Sequence, residues 1–118
     1  MHKLNITFED ADFDDLNAAA DEEGMSVQEI IIYKLTGRKP AFTAKDAIER
    51  AKVRYGNLPD GQRTFTLPEL YGSDWTINMG YAGVFGKRFF KYVEAHPELG
   101  VSFDGMVHSG RHAQYKLD

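Results

Sequence analysis

Lys3, Asn5 and Thr7 alternate with Leu4, Ile6 and Phe8 near the start of the chain. The polar set has the chemistry of base reading: lysine donates to guanine acceptors, asparagine bonds adenine at two atoms, and threonine offers a hydroxyl and a methyl that suits thymine. The same three residues also serve as the plain solvated face of a half-buried strand. Further on, Ser26 with the amides of Val27 and Gln28 stands at a helix start, where unpaired N–H groups and the helix dipole can hold a phosphate. A third set, Lys87, Arg88 and Lys91, lies in a stretch without an acid between Trp75 and Glu94. With Arg111 and His112 it offers a second surface for DNA or for a protein partner. Its ordinary alternative is a solvated outer helix face, since three cations fall short of a dedicated basic stripe.

Other chemistries are not visible. Cysteine is absent, which removes disulfides, thiolate metal sites and a cysteine nucleophile. His2, His96, His108 and His112 are scattered, with no carboxylate at ligand spacing on the same element, so no metal and no cofactor is expected. Gly80, Gly83 and Gly86 have no preceding strand and no Lys-Ser after them, and they read as loop and close helix packing, not as a phosphate cradle. No nucleophile–base pair or carboxylate pair stands out, and no catalytic residue is assigned.

The elements that must position these residues follow from periodicity. Residues 3–8 alternate with period 2 and predict a strand with one buried face, which needs a partner strand that the first forty residues do not supply. Residues 11–23 place Phe13, Leu16, Ala19 and Ala20 at helical spacing, with Asp12, Asp14 and Asp15 in the first turn, where the dipole favours negative charge. Gly24 suits a left-handed helix end. Ser26 followed by Glu29 is a capping-box pattern, and Val27, Ile30, Ile31 and Leu35 share one face behind it. Thr36, Gly37 and Pro40 end that helix, so a boundary is expected near residue 40, with domains over 1–39 and 41–118.

In the second segment Thr43 caps a predicted helix from Ala44 to Tyr55, and Pro59-Asp60-Gly61 marks a turn. A short strand over Arg63–Leu67, a brief helix over Pro68–Tyr71 and a loop over Gly72–Gly80 follow. A stronger helix over Ala82–Ala95 has Phe85, Phe89, Tyr92 and Val93 inside and Val84, Lys87, Arg88 and Lys91 outside. Val101–Val107 and His112–Leu117 read as a hairpin across Ser109-Gly110.

The order strand, helix, Gly24-Met25-Ser26-Val27 turn, helix over residues 3–37 resembles the ribbon-helix-helix family of the Arc and MetJ repressors, with Lys3-Leu4-Asn5-Ile6-Thr7-Phe8 as its ribbon. That resemblance implies an intertwined homodimer formed through the N-terminal strand, with a dimer core of Leu4, Ile6, Phe8, Leu16, Ile31 and Leu35. It also implies that Lys3, Asn5 and Thr7 read bases in the major groove of duplex DNA, while Ser26 and Val27 hold the phosphate backbone. The family usually has a basic residue where this chain has Met25. The later element order is that of a winged helix. Residues 64–117 also resemble a set of small uncharacterised bacterial and phage proteins with a Phe-Thr-Leu…Trp…Gly-Lys-Arg-Phe-Phe run, which carries no function with it.

The fold class expected is therefore α+β: a ribbon-helix-helix dimerisation arm followed by a small winged-helix-like module. The function expected is a dimeric, sequence-specific DNA-binding protein, a bacterial or phage transcriptional repressor. A second expectation is an antitoxin-like or inhibitor protein whose second module binds a protein partner while the arm dimerises. A third is that the arm dimerises but has lost DNA binding. The net charge of −4 argues against a nucleic-acid binder, because phosphates reward a basic surface. Yet the acidity is local: residues 1–39 hold nine acids against four cations, and residues 40–118 nine acids against ten. No apolar run reaches the roughly 18 residues of a membrane span, and no signal-peptide pattern opens the chain, so a cytoplasmic location without membrane contact is expected.

Overall fold

Small side chains on one helix and large rings on everything facing it set the architecture of residues 41–118. In the computed structural model, which describes residues 1–107, 110 and 112–118, the chain divides into two units, Met1–Pro40 and Ala41–Asp118. Among the described residues there are five α-helices and one three-stranded antiparallel sheet.

The first unit holds α1, Asp10–Glu23, and α2, Val27–Thr36. Asp10 and Asp12 stand in the first turn of α1, and Gly24 ends it at φ 68°, a left-handed conformation that only glycine adopts without cost. The amide of Met25 bonds back to the Ala20 carbonyl at 2.9 Å, closing the turn. The strand expected over residues 3–8 is not formed: residues 1–9 carry no regular secondary structure, and the first element is α1. The reason is physical, because a strand exists only on a ladder and this unit provides no second one.

The second unit begins with α3, Ala44–Tyr55, capped by Thr43, whose Oγ1 accepts from the Asp46 amide at 3.2 Å. Its inner face, Ala44, Ala47, Ile48 and Ala51, is buried, and three alanines let neighbouring elements come close. Strand β1 is two residues, Thr64–Phe65. Helix α4, Leu67–Tyr71, is capped by Thr66. A 3₁₀ turn, Gly72–Asp74, leads on to α5, Met79–Ala95, which starts earlier than its hydrophobic spacing predicts because Asn78 caps it, accepting from the Gly80 amide at 2.8 Å. After a second 3₁₀ turn come β2, Val101–Met106, and β3, Ala113–Leu117.

The sheet order is β1-β3-β2, so the last strand lies in the middle. Phe65 faces Tyr115 across β1 and β3. On the other edge Phe103 faces Tyr115 and Met106 faces Ala113, so β2 carries one residue more than β3 between those pairs. Gly105, at φ 93°, takes up the bulge.

The core gathers Phe42, Ile48, Phe65, Leu70, Phe85, Phe89 and Tyr115 from all these elements, each large side chain contributing roughly 1.5–3 kcal/mol on burial. Arg54 fastens α3 to α4: its Nη1 donates to the carbonyls of Glu69 and Leu70, both at 2.9 Å, a cation placed at a helix C-terminus. Among the described residues no helix is long and apolar enough to cross a membrane.

Burial raises the phenol pKa of two core tyrosines. Loss of hydration pushes Tyr71 up to about 12, against the opposing pull of the Arg50 guanidinium and with a small further push from Asp46; loss of hydration and the Glu94 carboxylate push Tyr115 up to about 12. An exposed phenol ionises near pH 10, so these two groups contribute stability that is complete below that pH and lost as pH climbs toward 12. Titration followed by phenolate absorbance should show the last tyrosines ionising together with alkaline unfolding. Ionisation of all six tyrosines in one step near pH 10, with the protein still folded, would contradict this core.

Candidate functional site

Two surfaces carry the residues of interest, one in each unit. In the first, Lys3, Asn5 and Thr7 are exposed, as are Leu4 (82%) and Ile6 (53%) between them. Phe8 is half-buried against Phe13, with ring centroids 6.4 Å apart. Of the remaining residues assigned to a dimer core, Leu16 and Ile31 are half-buried and Leu35 is 78% exposed. Only Ala20, Met25 and Ile30 form a buried cluster in this unit.

Ser26 caps α2 in a complete capping box: its Oγ accepts from the Glu29 amide at 3.0 Å, and its own amide donates to Glu29 Oε1 at 2.9 Å. The oxygen is committed to the helix, which leaves the hydroxyl hydrogen to donate outward. The amides of Val27 and Gln28 belong to the first turn and have no intrahelical acceptor. Met25 is only 5% exposed and packs with Ala20 and Ile30. Its apolar character, read from sequence as a missing phosphate contact, is the requirement of a core position.

In the second unit the predicted cationic set is divided. Lys87 and Lys91 are exposed on α5, but Arg88 is half-buried and donates to the Tyr81 hydroxyl at 3.0 Å. His112 is exposed. Arg111, and with it His108 and Ser109 of the expected hairpin tip, lies outside the described residues.

Beside Lys87 the structure has a groove of about 490 Å³ between the start of α4, α5 and the β2–β3 hairpin. Trp75, Met79, Phe90, Phe103 and Met106 form its walls, with Lys87 and His112 at its edge, and no carboxylate lines it. Gly83 and Gly86 line it as well. A Cβ added at either would meet nothing within 4 Å, so the close packing expected of these glycines does not occur inside the unit. Sequence reading missed this groove. The available signal was a helical segment keeping glycine every third residue, at 80, 83 and 86, just after Met79.

A second hollow, about 480 Å³, lies along α3 beside Arg50, Arg54 and Tyr71. Its cations are already engaged, Arg50 with Asp74 at 3.1 Å and with the Tyr71 ring at 4.5 Å, and Arg54 with the α4 carbonyls. That arrangement is a structural brace. Among the described residues no group of three His, Cys, Asp or Glu side chains comes together as a metal site.

The second unit is thus a small α+β domain with an apolar groove along α5. Residues 49–116 match the family described as a domain of unknown function, DUF1413, and the chain belongs to that family. The match begins inside α3, so the first unit falls outside it. No curated protein and no solved structure matches the chain.

Two substitutions check these local readings. Ser26→Ala removes one half of the capping box and should cost about 0.5–2 kcal/mol of stability. Gly83→Ala places a methyl in open space within a helix, where glycine costs roughly 0.5–1 kcal/mol relative to alanine, and should raise stability by a similar amount. Urea denaturation at one fixed protein concentration measures both; a destabilising Gly83→Ala would mean that the position is packed.

Proposed function

We propose that this protein is a dimeric, sequence-specific DNA-binding protein whose N-terminal arm pairs with that of a second copy, a transcriptional repressor of a bacterium or phage. The observation that carries the reading is the unfinished state of the first unit. Forty residues bury three side chains while Leu4, Ile6 and Leu35 stay in water, and a unit of this size generally needs an added constraint such as oligomerisation to hold together. Pairing residues 3–8 with the same segment of a second chain would give both strands a ladder and cover Leu4, Ile6 and Phe8. The opposite face would then present Lys3, Asn5 and Thr7 twice, in a two-stranded ribbon of the width that the major groove admits. The Ser26 hydroxyl and the Val27 amide, at the start of α2, are the groups for the phosphate backbone.

The second unit fits a winged helix by its order of helix, strand, two helices and hairpin, with the last strand central. In that arrangement α5 would be the groove-reading helix, yet its open face is Met79, Gly83, Val84, Lys87 and Lys91, which offers two cations and no neutral polar side chain to base edges. DNA reading is therefore assigned to the arm. A second reading, in which the arm only dimerises and the second unit grips a protein, is favoured by the apolar α5 groove.

Selection of bound sequences from a random duplex library by the full-length protein should enrich a two-fold symmetric site, since the dimer has that symmetry. Asn5→Ala should relax preference at one position per half-site by about 1–3 kcal/mol, with the dimer mass unchanged in sedimentation. An unchanged preference in Asn5→Ala, or no enriched sequence, counts against the ribbon as reader.

A further inference from the structure

We infer that the α5 groove of the second unit is a docking site for an acidic, amphipathic helix of a protein partner. This rests on the partner-binding reading of that unit and is independent of DNA reading by the arm. The first argument is shape and surface. Met79 is 91% and Met106 55% exposed, and both line a groove that also holds Trp75 and Phe90. Flexible thioethers flanking aromatic walls are the surface that adapts to an apolar helix face. The floor supports it: with no Cβ at Gly83 or Gly86 and open space above both, a second helix can approach the α5 backbone closely. The cost of those glycines is not recovered by packing within the unit.

The second argument is charge, and it selects the occupant. No carboxylate lines the groove, and its ionisable edge is Lys87 and His112, with exposed Lys91 one turn beyond Lys87 on α5. The second unit as a whole nearly balances its charges, nine acids against ten cations, but the groove lining holds Lys87 and no carboxylate, which is complementary to an apolar face flanked by Glu or Asp. Nucleic acid fits less well, because it rewards a run of phosphate-binding cations and polar base readers, and this surface is mostly carbon. A groove of this size holds only a few anchor side chains, which suits a transient contact with a dissociation constant on the order of micromolar.

Trp75 is the chain's single tryptophan and lines the groove, so it reports occupancy directly. The probe is a tryptophan-free helical peptide of about 18 residues with Leu at i, i+4, i+7 and i+11 and Glu on its outer face, titrated into the full-length protein. The expected result is a saturable blue shift of Trp75 emission. A peptide with Lys in place of every Glu should bind about tenfold more weakly or worse. Gly83→Leu fills open space and should abolish the shift while the protein stays folded. Met106→Asp, on the hairpin side, should do the same by a different route, and Lys87→Glu should weaken binding about tenfold. Equal binding of the two peptides, an unaffected Gly83→Leu and Met106→Asp, displacement by mixed-sequence duplex, or no shift at all would each overturn the inference. Sequence selection by the arm should be the same in Gly83→Leu and in the unchanged protein, so failure here and failure of DNA reading are told apart.

Discussion

The ring of Tyr115 holds the second unit together. It sits on the middle strand, almost wholly buried, and touches a ring from each neighbouring element: Phe89 of α5 edge-on at 4.7 Å, and Phe65 of β1 and Phe103 of β2 each at 6.0 Å. Because β1 is only two residues long, its ladder alone could not hold it; the stacked Phe65 does so from the side-chain layer. The same ring then passes from core to site, since Tyr115 also lines the α5 groove beside Phe90 and Phe103. One part of the groove wall is therefore continuous with the buried core of the unit.

The first unit has no equivalent. Its buried cluster is Ala20, Met25 and Ile30, two of them small or flexible, and its larger apolar side chains are spread over the termini of the unit and the outer side of α2. Local signals are nonetheless strong: a dipole-matched first turn, a glycine helix end and a complete capping box. The sequence specifies two helices and the turn between them with little help from packing, and Phe13, Ile32 and Leu35 stay exposed on them.

Legibility from sequence follows the same division. The caps at Ser26 and Thr43, the glycine at 24 and the inner face Phe85, Phe89, Tyr92 and Val93 were readable because each rests on a short-range rule of spacing or hydrogen bonding. The start of α5 was not, because the glycine at 80 looks like the end of a loop and the cap at Asn78 acts through a single bond to Gly80. The strand over residues 3–8 has the alternation of a strand but not the ladder, which one chain cannot supply. The groove escaped because its walls come from α4, α5 and the hairpin, a meeting that only the tertiary fold creates. The cation set was readable as composition but not as geometry, since Arg88 turns back to Tyr81.

Charge placement bears on what the proposed ribbon could do. The acids of the first unit cluster on α1, at Asp10, Asp12, Asp14, Asp15, Asp21, Glu22 and Glu23, whereas residues 3–8 carry Lys3 and no acid. Each protomer would bring one lysine on the ribbon, a hydroxyl and an amide to the duplex, few charges to release counterions. Affinity from phosphate neutralisation would be small, and the salt dependence correspondingly shallow. Discrimination would then rest on the hydrogen bonds of Asn5 and Thr7 at base edges, doubled by symmetry and dependent on the dimer being intact. An acidic chain with an apolar ribbon core is consistent with binding of that kind, in which dimerisation supplies what bulk charge does not.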